Sequence, residues 1–348
     1  MVKAIITKMK SGIRQLFMSC IKRILFLLPL LLLALSEQVI GAPPGLGLPI
    51  RCIPGESCFI QNYFDHDPGP DYHDYTCGRL SYNGHHGTDF RLRDLDAMRA
   101  KVAVVAAAPG VVIGTRNNEP DITVRKRGKA ALKGKDAGNG VRIDHGDGWS
   151  TQYSHMLEGS IRVHKGQRVE SGDILGFVGL SGNTEFPHLD FSVSKDGVNI
   201  DPFNPGRAAC GAVPTTLWTA PVERSLRYQA TGLLVSGFSA TTPEREKAED
   251  GGYKLSNIPA DAESIVYWVE LFGVLKNDYL SVELYGPNRQ KLGNNKRIMS
   301  QNKAVVFSST GKRRGASPWP KGTYSALLRL VRNGKLIVEE KRDITVMY

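Results

Sequence analysis

Three short segments of this 348-residue chain carry side chains whose types and spacing suit metal-assisted hydrolysis. His85 and Asp89 stand four apart in HHGTD, His155 follows Tyr153 by two in YSH, and His188 and Asp190 stand two apart in PHLDF. Imidazole nitrogen and carboxylate oxygen are donors that Zn²⁺ accepts, and a hydrolytic zinc needs three protein ligands and an open position for water. Amide hydrolysis also needs a group that takes up a proton and returns it, a role imidazole fills. Singly, each piece is weak. H-x-x-x-D occurs often by chance, and a lone histidine beside a tyrosine is usually an ordinary surface or core residue.

The elements that must aim these groups read as short strands. Gly84 and Gly87 flank His85, so the first pair sits on a loop running into a strand. Side chains two apart on an extended segment share a face. That places Tyr153 with His155, and His188 with Asp190. Strands are predicted at 102–107, 110–115, 140–144, 150–154, 161–163, 174–179, 189–193 and 198–200, joined by tight turns such as His145-Gly146-Asp147-Gly148. Helix is expected only as a turn at 92–99. Residues 116–138 hold seven Lys/Arg against three acids and read as a long exposed loop, either a groove wall for an anionic polymer or a solvated insertion.

After Pro214 the texture changes. Segments 233–237, 265–272, 280–285, 304–308, 323–332 and 335–346 have the spacing of a β-sandwich, and Asn333-Gly334 between the last two is a hairpin signal. No cluster of His, Cys or carboxylate there carries chemistry. An immunoglobulin-like sandwich for packing or targeting is expected.

Composition sets bounds on the class. The chain is too long for one ordinary core, and 37 Gly with 19 Pro suits turn-rich β structure. Of the net charge of +11, five units lie in residues 1–41, where six cations face Glu37 alone. The apolar run 24–35 behind those cations is too short to span a bilayer, so 1–41 reads as a signal peptide. Membrane association is expected only if that segment stays uncleaved. An exported location, the periplasm or cell envelope of a bacterium, follows. Beyond the leader, Cys52, Cys58, Cys77 and Cys210 form an even set suited to disulfides. Of three pairings, Cys52–Cys58 across Pro54-Gly55 with Cys77–Cys210 is favoured. No C-x-x-C pair exists to build a cysteine zinc site, and no nucleophile elbow marks a serine hydrolase. The mildly basic body suits a polyanionic surface, with no nucleic-acid partner expected. His66, His73, His86, His145 and His164 find no catalytic arrangement. Asp65-His66-Asp67 reads as a solvated acidic loop rather than a second metal site.

Together and in order, HHGTDF, GNGVRIDHGDGWSTQYSHM and VHKGQRVESGDILGFVGLSGNTEFPHLDFSV resemble the LytM/lysostaphin-type zinc peptidoglycan endopeptidases, over roughly residues 80–205. The resemblance implies a mainly antiparallel β fold crossed by an open groove. It also implies that His85 and Asp89 ligate zinc, and that His155 and His188 are the two histidines beside the metal-bound water, acting as general base or transition-state stabilisers. The departure is Asp190, which stands where the family pattern H-x-H has its last imidazole, the third ligand. Carboxylate oxygen binds zinc at about the same distance as imidazole nitrogen. As many bonds separate Cα from an Asp oxygen as from a His Nδ1, so Asp190 serves if the family's histidine binds through Nδ1. If that histidine binds through Nε2, the oxygen falls about 2 Å short.

The expectation is therefore an all-β chain: signal peptide 1–41, a cysteine-bearing segment 42–79, a LytM-type peptidase domain 80–212 and a β-sandwich 213–348. The expected activity is Zn²⁺-dependent hydrolysis of peptide bonds in peptidoglycan, with Asp190 able to attenuate it. The alternative is a catalytically degenerate relative that binds wall or activates a separate hydrolase.

Overall fold

The computed structural model describes residues 44–207 and 215–347. The expected leader, its Cys20, and Cys210 lie outside these residues. Among the described residues, no helix is long and apolar enough to cross a membrane.

The first part is one antiparallel sheet built from β1 (Cys58–Asn62), β2 (Thr88–Leu92), β4 (Gly110–Arg116), β5 (Asn139–Gly146), β6 (Trp149–Met156), β7 (Arg168–Val169), β9 (His188–Lys195) and β10 (Val198–Ile200), with β3 (Ala103–Val105) and β8 (Ile174–Phe177) paired separately. Strand order is β1-β2-β9-β6-β5-β4-β7, and β10 extends the β9 edge beside β2. Alternation explains the faces. In β9, Leu189, Phe191 and Val193 turn to the core and are at most 1% exposed, as do Phe90 and Leu92 of β2 and Val141 and Ile143 of β5. Each such side chain contributes about 1.5–3 kcal/mol by leaving water. The intervening residues of β2, β6 and β9 occupy the opposite face.

The second part is a two-layer sandwich. One sheet holds β11 (Gly232–Ser239), β13 (Ser264–Val274) and β16 (Lys303–Arg313). The other runs β12 (Asn257–Pro259), β18 (Lys335–Met347), β17 (Gly322–Arg332), β14 (Tyr279–Tyr285) and β15 (Lys291–Ile298). A shared core of Tyr267, Val269 and Leu271 from β13 against Leu280, Val282, Leu328 and Leu330 joins the layers. Among the strand pairs of the described residues, β12–β18 is the parallel one. The all-β class stands as expected.

Several elements differ from the sequence expectation. Residues 161–163 form no strand. Strands β1 and β15 were unforeseen, the latter because KLGNNKRI lacks alternation; it is an edge strand paired only to β14. The 116–138 segment is no free loop. It contains two short helical turns, buries Leu132, and buries Glu119 between Arg127 and Lys135. Segment 42–79 supplies β1 to the sheet and Leu46, Ile50 and Tyr63 to the core. Cys52–Cys58 is a disulfide; Cys77 is also disulfide-bonded, and its expected partner Cys210 lies outside the described residues.

Candidate active site

Strand pairing brings all three segments together, in the order β2-β9-β6. In the β2–β9 register, Asp89 faces Asp190 and Arg91 faces His188, and across β6 Ser154 also faces Asp190. His188 and Asp190 thus share a face as expected. His85 stands in the loop ahead of β2, where its carbonyl accepts Asp65 N–H at 2.8 Å and its N–H donates to Tyr82 carbonyl at 3.0 Å. The ring of Tyr82 lies 4.5 Å from that of His85. Asn62 of β1 donates to Asp89 Oδ2 at 2.7 Å and fixes that carboxylate. Asp65 is not solvated: it is buried and accepts from the N–H groups of Asp67, His73 and Gly84.

His155 reaches the site by a route the sequence does not show. Tyr153 is fully buried and its hydroxyl accepts Ala107 N–H at 2.8 Å, so it belongs to the core. Simple alternation would send His155 there too. The β5–β6 register instead pairs Val141 with Tyr153 and Asn139 with Met156, so Gly140 opposes both Ser154 and His155. This is a β-bulge, and His155 takes φ +61° within it. The expectation that Tyr153 and His155 share a face is corrected: the bulge swings the imidazole to within 4.6 Å of the His188 ring. Gly140 is required, because a Cβ there would meet Tyr153 carbonyl oxygen at 2.4 Å.

One donor atom each from His85, Asp89 and Asp190 lies within 4.8 Å of the others, an arrangement able to hold a metal ion. His85 Nε2 and Asp89 Oδ1 are 3.4 Å apart, close to the ~3.4 Å between two ligands at ~2.1 Å on a tetrahedral ion. Both atoms are buried with no hydrogen-bond partner. Such orphaned atoms are costly, and a cation between them removes the cost. Gly87 makes room: a Cβ there would sit 1.9 Å from Asp190 Oδ1. Burial, and then the Asp89 charge, push the Asp190 carboxyl up. Burial, with the charges of Asp89 and Asp190, likewise raises the Tyr82 hydroxyl.

The two remaining imidazoles are oriented alike. His155 Nδ1 meets Ser181 carbonyl at 2.7 Å, and His188 Nδ1 meets Phe186 carbonyl at 3.0 Å. A carbonyl only accepts, so Nδ1 carries the proton in each ring and Nε2 keeps its lone pair. His188 Nε2 lies 3.5 Å from Asp89 Oδ1. Burial pushes both histidines down to about 4, so both are neutral at pH 7; the neighbouring His188 adds to the shift of His155. Asn62, Ser181, Thr184 and Phe186 also hold the site's side chains: Ser181 and Phe186 act through backbone carbonyls, Asn62 through a contact distant along the chain, and Thr184 through a hydroxyl 3.1 Å from His188 Nδ1, none of which carries a signal in the sequence. The other histidines stand apart: His145 bridges Pro109 carbonyl and Thr151, and His66 bonds Asp201.

Fold and constellation give an antiparallel β-sheet domain in which three donors could hold a metal ion, flanked by two neutral imidazoles. Residues 83–202, about a third of the chain, match Peptidase family M23, and this stretch is a domain of that family. The resemblance to LytM/lysostaphin-type peptidases holds on that ground. The peptidoglycan DD-endopeptidase ShyA of Vibrio cholerae is 31% identical over 130 residues, 37% of this chain and 25% of that protein. Stage II sporulation protein Q of Bacillus subtilis is 31% identical over 88 residues, 24% of this chain and 30% of that protein. The matches span between 9% and 30% of the length of these and two further relatives. The catalytic domain of the antimicrobial peptidase lysostaphin from Staphylococcus simulans aligns with TM-score 0.27 and 20% identity, over 41% of this chain and 86% of that one.

Proposed function

We propose that this chain is an exported zinc-dependent endopeptidase acting on peptide bonds of peptidoglycan. The observation that carries the reading is the convergence of His85, Asp89 and Asp190 on one point, with the free Nε2 atoms of two neutral imidazoles beside it. His85, Asp89 and Asp190 would hold the ion, a nitrogen and two oxygens that zinc accepts. When bound, zinc supplies Lewis acidity that polarises a peptide carbonyl and acidifies water. His155, neutral and pinned through Nδ1 to Ser181, accepts a proton at Nε2 and returns it to the leaving amine. His188, pinned to Phe186, presents its Nε2 to the same space and stabilises developing charge once protonated. The wall substrate is supported by the likeness to ShyA, named a peptidoglycan DD-endopeptidase. Export is supported by the basic-then-apolar leader and by the Cys52–Cys58 disulfide, which suits an oxidising compartment.

A second reading is favoured by Asp190 itself. Two carboxylates and one imidazole neutralise Zn²⁺ fully, so water is acidified less than with one carboxylate. A wall-binding or activating role without turnover fits that attenuation, and relatives such as stage II sporulation protein Q and the cell division protein DipM of Caulobacter vibrioides carry no enzymatic name.

The deciding experiment is zinc content of the purified chain together with digestion of sacculi. Bound zinc with chelator-sensitive release of soluble muropeptides supports the enzyme. Wall binding without release supports the second reading, and zinc-free protein that neither binds nor cuts overturns both.

A further inference from the structure

Glu270 is 1% exposed in the middle of β13, a strand whose eleven residues are all buried. Tyr267, Val269 and Leu271 face the sandwich core, so Glu270 lies on the opposite face of β13, where a buried carboxylate is expensive unless paired. Its partner there comes from the first part of the molecule. Arg91 of β2, 2% exposed, places Nη2 3.6 Å from Glu270 Oε2 and donates through Nη1 to the Gln61 side-chain carbonyl. The Arg91 guanidinium lies on the Phe186 ring, 4.3 Å from its centroid. Phe186 packs 4.8 Å from the His188 ring, and its carbonyl receives the His188 Nδ1 proton.

The same segment is held from its other side. Glu270 Oε1 meets Arg245 Nε at 3.2 Å, Arg245 meets Glu249 at 2.9 Å, and Glu249 meets Arg125 at 3.3 Å. Arg125 donates to the Glu185 carbonyl at 3.3 Å. Alternating charges from the sandwich therefore close on residues 185 and 186 from two directions. The outer, exposed pairs are worth little. The Arg91–Glu270 pair is buried, and its guanidinium lies over the Phe186 ring.

We propose that Glu270 and Arg91 are positioning residues, through which the β-sandwich fixes the Phe186 carbonyl and so the orientation of the His188 imidazole. The sandwich is then a working part of the catalytic site as well as a packing module. The inference rests on the peptidase reading for its kinetic consequence, but its geometric core does not.

The test uses the full chain with Glu270→Gln, which keeps shape and removes charge, and Arg91→Lys, which keeps charge and loses the planar stack. Nitrogen-15 NMR of the histidine rings reads the His188 tautomer and the protection of its Nδ1 proton; kinetics on a cross-linked wall peptide read kcat and KM. Both variants should lose protection at His188 with His155 unchanged, and kcat should fall ~10–100-fold with KM unaltered. Should a single variant fail to fold, Arg91→Gln with Glu270→Gln removes both charges together and should fold with the same His188 defect. Wild-type ring signals and kcat in the folded variants, with only a lower melting temperature, would overturn the proposal. If the wild type cuts no wall peptide, the peptidase reading fails while the ring signals still decide the positioning.

Discussion

Asp89 and Asp190 face each other in register across β2 and β9, with His85 Nε2 3.4 Å from Asp89 Oδ1. Burial pushes the Asp190 carboxyl up, and repulsion from the facing Asp89 carboxylate pushes it further; a cation or a proton between the two relieves that repulsion.

Zinc binding should relieve that repulsion and raise stability, by about 2.7 kcal/mol at a hundredfold excess over Kd. Asp190→Asn should weaken zinc by more than the ~10–100-fold typical of outer-shell changes. Asp190→His should keep or raise affinity. Unfolding with and without zinc measures the stability gain, and competition against a chelating dye measures the two affinities. A large loss in Asp190→His would mean the site is tuned around carboxylate.

Gly87→Ala tests Asp190 without touching a ligand. The new Cβ would displace the carboxylate oxygen now 1.9 Å from its place. Zinc affinity should drop ~10–100-fold with the circular dichroism spectrum retained. Unchanged affinity would show that Asp190 does not need its present position to hold the metal.

The bulge makes a paired prediction. His155→Ala should cut kcat by ~10²–10⁴ while zinc stays bound and the fold is unaffected. Gly140→Ala should show a comparable kcat loss, because His155 is no longer aimed at the site, plus about 1–3 kcal/mol of destabilisation from the clash with Tyr153 carbonyl. Urea unfolding separates the two.

In metal-free protein, His155 and His188 should withdraw stability as pH falls from about 6.5 to about 4, against an opposing gain from Asp190, whose raised carboxyl takes up a proton in the folded state. His155 and His188 titrate near 4 when folded and near 6.5 when unfolded, so the unfolded chain binds more protons in that window. Above pH 7 the two histidines add no slope, and below 4 their contribution levels off. Unfolding free energies of the wild type and of His155→Gln with His188→Gln, both measured in chelator, should differ by this histidine contribution, which the double variant lacks.

By itself the sequence determined the class of the protein and the list of its chemical groups. Period-2 alternation in HLDFSVSK and NGVRIDHG marks half-buried strands, and His188 with Asp190 on one face follows from that period alone. The donors His85, Asp89 and Asp190 are legible as types and spacing. Only the tertiary structure decided how these groups meet. His155 enters the site through a register slip opposite Gly140, a relation between two strands that neither strand encodes alone. The edge strand β15 takes its shape from its neighbour β14, and Glu119 and Leu132 are buried in a segment whose charge reads as solvated. The contact of Glu270 with Arg91 joins two remote parts of the chain. Local periodicity reports which face a side chain takes; register, bulges and buried ion pairs depend on what lies opposite, and that is settled only when the sheets assemble.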